Sequence, residues 1–189
     1  MTAQIADAVQ YLGRRCSIAG IAGQGLFDPR DHGLQPTMMH TACYRGFHVL
    51  YEVAENQLRI HDLTIRILQD DAPALFGKTP ELRDHNLEYR DLAGLVPFTG
   101  GLLLGDQFIR RLYVHMGFHP AWKYEFVHEL VFDNGAVIAA HDRSEQMQAM
   151  RERIARGEKT PDHAQTDSLE EWVKRTFELD YRRSVPPDS

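Results

Sequence analysis

Residues 126–140 read FVHELVFDNGAVIAA, and this stretch decides the fold class. Phe126, Leu130 and Phe132 share one face of an extended strand. Asp133, Asn134 and Gly135 tolerate positive φ, and residues 137–140 run back, which predicts an antiparallel hairpin. His128 alternates onto the same face as Phe126 and Leu130, so it reads as a half-buried packing histidine satisfied by a neighbour.

Working outward, Phe47, Val49, Tyr51 and Val53 alternate with His48 and Glu52. Residues 55–57 form a turn, and Leu58 and Ile60 return. Leu63, Ile65 and Ile67 are out of phase with that pair, which predicts a β-bulge at His61-Asp62. Residues 97–104 read as another strand, in which Gly100 and Gly101 mark a bend or the close approach of another backbone. Residues 108–115 fit either a short helix or a strand. Residues 73–91 are polar, with Leu75, Phe76, Leu82 and Leu87 as apolar anchors.

The character changes after His141. Asp142 with Glu145 forms a capping signature for a helix whose stripe is Met147, Met150 and Ile154, and Gly157 can end it. Residues 158–166 are a polar linker. Ser168 with Glu171 repeats the signature ahead of Leu169, Trp172, Val173, Thr176 and Phe177 at helical spacing. The expected fold is α+β, a mainly antiparallel sheet built from hairpins with two C-terminal helices. Residues 1–141 form the sheet domain, and 142–189 form a helical extension packed on the same domain or on a second subunit. Leu169, Trp172, Val173 and Phe177 are the interface candidates, because Trp and Phe suit an interface core.

A chain of 189 residues, 43% hydrophobic and 25% charged, is long enough to bury one core without staples. No apolar run approaches the length of a membrane span. A net charge of −6 argues against a general nucleic-acid binder, which needs a basic footprint. The two cysteines, Cys16 and Cys43, read as reduced thiols rather than a disulfide framework, and the first fifteen residues lack a secretory pattern. A cytoplasmic setting is expected.

Several chemistries can be weighed. His115, His119 and His128 could bring three nitrogens to a zinc ion, but Gly117 and Pro120 break the helix that a shared histidine face requires. Packing roles are the simpler reading, and no cofactor is expected. Cys43 follows His40 and precedes Arg45, although free cysteine is usually a small buried hydrophobe. Residues 20–25 (GIAGQG) have the wrong spacing for a dinucleotide loop, and no P-loop, nucleophile elbow or paired-cysteine motif is present.

The runs TACYRGF (41–47), YEV (51–53), LRI (58–60), FTG (98–100) and YVHMGF (113–118) together resemble a family of small, uncharacterised bacterial proteins. The likeness covers roughly residues 11–141 and implies a common α+β scaffold without transferring a catalytic residue. The bulkier loop at 119–123 departs from the family pattern. The resemblance points to Arg45, His115, Tyr124 and Glu125 as ligand-site candidates, which either line a cleft or cross-brace the sheet. The sequence therefore reads as a binding module first, with a protein partner or a homodimer. The alternative is a small-molecule or metal-dependent hydrolase using those four residues.

Overall fold

The computed structural model describes residues 2–68, 71–161 and 168–184, with Leu169 described by its backbone alone. The polar linker from 162 onward lies outside the described residues, as does the side chain of the interface candidate Leu169. The chain is a mixed α and β protein with one large, mostly antiparallel sheet and, among the described residues, two helices. The strands are β1 (Ala8–Tyr11), β2 (Arg14–Gln24), β3 (Phe47–Ala54), β4 (Gln57–Ile65), β5 (Glu81–Arg83), β6 (Asn86–Tyr89), β7 (Gly94–Leu95), β8 (Thr99–Phe108), β9 (Tyr124–Asp133) and β10 (Ala136–Asp142). The helices are α1 (Ser144–Ala155) and α2 (Leu169–Thr176).

The strands follow the order β10-β9-β8-β2-β1-β3-β4-β6-β5, with β7 also on β4, and β10 pairs back onto β4. That last pairing turns the path from β4 to β10 into a closed ring, with β6 and β5 as a flap beyond it. Only β1 against β3 is parallel among the named strand pairs. Closure is narrow. Ala136 stands opposite Gln57, the Leu58 N–H donates to the Gly135 carbonyl at 2.8 Å, and the Val137 N–H donates to the Asn56 carbonyl at 3.0 Å.

The two-residue side-chain period sends one face of each ring strand inward. Ile18, Val49, Tyr51, Leu58, Ile60, Leu102, Leu104, Leu130 and Phe132 meet in one cluster, each 0–1% exposed. Phe98 packs edge-on against Phe132 at 5.7 Å. Outward-facing Leu103 and Val127 form a second cluster with Met147 and Met150 of α1 and with Trp122 and Tyr124.

The hairpin of β9 and β10 turns at Asn134 and Gly135, both at positive φ. In the hairpin of β3 and β4, Leu50 pairs with Asp62 and Tyr51 with Ile60, so His61 is the extra residue of the expected bulge. Residues 108–115 split between the end of β8 and a single 3-10 turn at Arg110–Leu112. The expected capping box of Asp142 with Glu145 does not form: the N-cap of α1 is Arg143, without a side-chain cap, and Asp142 Oδ1 instead accepts from the N–H and hydroxyl of Ser144. Ser168 caps α2 by accepting from the Glu171 N–H at 3.2 Å. Among the described residues no helix is long and apolar enough to cross a membrane.

Candidate functional site

The two loops that carry the family-like motifs meet through the N-terminal segment. The Gln4 N–H donates to the Gly117 carbonyl at 2.8 Å, and the Gln4 side-chain amide donates to the Thr41 carbonyl at 3.0 Å. The Gln4 side-chain carbonyl accepts from the Tyr44 N–H, and the Ile5 N–H donates to the Ala42 carbonyl. One residue thus ties 41–44 to 117, segments that are far apart in sequence. Ile5, Tyr44, Tyr113 and Val114, which are 43–51% exposed, all belong to these joined segments.

Directly after this junction comes a buried ion pair. Asp7 is 4% exposed, and both of its oxygens accept from the Arg45 guanidinium. The Val49 N–H donates to Asp7 Oδ1 at 2.6 Å, and Arg45 Nε donates to the Phe47 carbonyl at 2.8 Å. Burial alone would lower the Arg45 pKa, but the adjacent Asp7 carboxylate outweighs it and raises the value. Arg45 also covers the Phe47 ring at 4.6 Å. The group that faces Arg45 is Asp7, 38 residues away, which no local pattern in the sequence singles out.

The other site candidates have separate neighbours. His115 Nδ1 meets the Tyr113 hydroxyl at 3.0 Å. Tyr124 stacks edge-on with Phe108 and sits over Gly105, while Glu125 lies 3.8 Å from Arg151. Arg45, His115, Tyr124 and Glu125 therefore direct their polar atoms to four different places.

The three histidines considered for zinc do not gather among the described residues, although His115 and His119 both lie against Tyr113. His128 stands edge-on to Tyr11, and His115 lies beside Tyr113. His119 is held between Phe108 at 4.7 Å and Tyr113 at 5.3 Å, with both ring nitrogens buried and unpartnered. Burial, with smaller contributions from the charges of Lys123 and Arg183, lowers the His119 pKa to about 4. Among the described residues, the metal-ligand types that do come within 4.8 Å of one another are His61, Asp62 and Asp91. Those groups already serve each other and Arg90. Asp62 Oδ1 meets His61 Nδ1 and the Asp91 N–H, and Asp62 Oδ2 accepts from Arg90 at 2.8 Å.

Cys43 closes a tight turn, its N–H donating to the His40 carbonyl at 2.8 Å. Its thiol points at the Phe47 carbonyl, and burial pushes the thiol pKa up, the reverse of what an activated nucleophile needs. Trp172 and Thr176 of α2 line a cavity of about 160 Å³ together with Val114, Phe118 and Trp122 of the same chain. The Phe118 N–H donates to the Thr176 carbonyl at 2.7 Å, which fixes the end of α2 to the 113–118 loop. Comparison with protein-family models, curated proteins and solved structures finds no match to this chain.

Proposed function

We propose that the chain is a non-catalytic binding module that engages a protein partner through the junction built on Gln4. The observation that carries this reading is the presence of Ile5, Tyr44, Tyr113 and Val114, all exposed, on segments that Gln4 and its neighbour bind together. Single exposed apolar residues need no explanation, whereas a set held on a fixed backbone framework is what an interface requires. Tyrosine is moreover enriched where binding energy concentrates. The helical extension gives this reading less support, because α2 is fastened to its own chain. A cytoplasmic setting and kinship with the bacterial family its motifs resemble belong to the same proposal.

The hydrolase alternative needs Arg45, His115, Tyr124 and Glu125 to converge, and their separate partners speak against that. A photo-crosslinking residue placed at Tyr44 or Val114, in cells of the native host, tests the proposal. A heterologous protein should be captured from both positions and not from Leu82 on the exposed flap. A crosslink to a second copy of this chain would replace the proposed partner with self-association. Equal capture from Leu82 would remove the site.

A further inference from the structure

On the outer face of the sheet, the register of β3, β4 and β6 places His48 opposite Thr64 and Thr64 opposite Glu88. Asp62 lies in the neighbouring pair, opposite Leu50. Arg15 of β2, which pairs with Gln10 on β1, lines the same cleft diagonally past Ala8, the small residue opposite Leu50. These side chains, with Arg90, enclose a cleft of about 240 Å³. It is smaller than the pockets that take drug-sized ligands, so it suits a small one.

The charges in the cleft are unevenly satisfied. Arg90 bridges both acids, with Nη1 2.8 Å from Asp62 Oδ2 and Nη2 2.7 Å from Glu88 Oε2. Arg83 adds a second cation 3.7 Å from Glu88. Arg15 stands apart: among the described residues no carboxylate lies within ion-pair distance of it. The His48 Nδ1 atom is buried and has no hydrogen-bond partner. Burial also lowers the His48 pKa, which keeps the ring neutral at pH 7 and leaves Nδ1 free to carry the ring proton. A buried polar atom without a partner is unfavourable, and an acceptor that reaches it would relieve that cost.

We infer that this cleft binds a small oxyanion, a carboxylate or a phosphate, with Arg15 supplying the charge and His48 Nδ1–H and the Thr64 hydroxyl supplying directed hydrogen bonds. The opposite wall, Asp62 and Glu88 held by Arg90, favours a ligand whose far end donates a hydrogen bond, as a hydroxy acid does. This site is separate from the protein-binding junction and does not depend on it.

Amide chemical-shift titration of the full chain with inorganic phosphate, and separately with malate, tests the inference. Saturable shifts centred on Arg15, His48 and Thr64 are expected, with a Kd at or below about 1 mM. Arg15→Gln and His48→Leu should each weaken binding about tenfold, with the control Arg110→Gln unchanged. The spectrum of each variant reports directly whether it is folded. Saturation by phosphate alone identifies a phosphoryl ligand, and saturation by malate alone identifies a carboxylate. Shifts that fail to saturate with both probes, or an affinity unaltered by Arg15→Gln in a folded protein, would overturn the inference.

Discussion

Asp7 accepts three hydrogen bonds, and each comes from a segment that would otherwise be free to drift: two from Arg45 and one from the Val49 N–H. Removing its charge leaves Arg45 partly buried without a counter-ion. Asp7→Asn is therefore expected to cost roughly 3 kcal/mol, read as a lower urea midpoint at pH 7 with an unchanged slope. His119 gives an acid-side prediction. Its folded-state pKa of about 4 lies below the usual histidine value, so as pH falls the unfolded chain takes up the proton first and stability drops between about pH 6.5 and 4. In His119→Phe that loss should shrink by about 1–2 kcal/mol, allowing for the partial exposure of the ring, when denaturation is compared at pH 7 and pH 4.5. Burial raises the pKa of both Cys16 and Cys43. Thiol titration with a disulfide reagent at pH 7.5 should find neither thiol reactive until denaturant is added; prompt labelling would contradict the buried assignment.

At the scale of elements, legibility follows the strength of the local signal. The β9–β10 hairpin and the bulge at His61 were readable because turn residues and a broken two-residue period leave marks within a few positions. The β1–β2 hairpin was not. Its turn uses Leu12 at φ 49° before Gly13, and Gly20 and Gly23 interrupt the apolar alternation of β2, so GIAGQG reads only as a failed nucleotide loop. The glycine reading at 100 did hold. A Cβ there would lie 2.0 Å from the Ala22 carbonyl oxygen of the paired strand. The same device fastens α2, because a Cβ on Gly117, at φ 60°, would lie 2.1 Å from the Thr176 carbonyl oxygen. Gly117→Ala should accordingly release α2 while sparing the sheet. Limited proteolysis should show faster cleavage in 160–180, at least several-fold, with the far-ultraviolet dichroism of the strands retained.

At the scale of the molecule, the closed ring was the least legible property. It depends on one pairing, Ala136 with Gln57, between residues that carry no closure signal of their own. The candidate site was legible only in part. Arg45 and the motif loops could be picked out, but Gln4 and Asp7, which organise them, act through contacts distant in sequence. The packing of α1 on the ring and the bond from α2 to the 113–118 loop join the two segments that the sequence divides at residue 141. Tryptophan fluorescence from Trp122 and Trp172 should therefore share one urea midpoint with strand dichroism. Two separated midpoints would restore an independent extension.

The position of the closing pair also sets a timetable. Ala136 follows Gln57 by about 80 residues, so while the chain is being made β4 waits for its last partner. At roughly 5–20 residues per second, that wait lasts several seconds; β6 and β7 cover most of the β4 edge sooner, which leaves its Gln57 end open to other chains. A nascent copy would need protection over that interval, and slower translation between residues 57 and 136 would lengthen its exposure to misassembly.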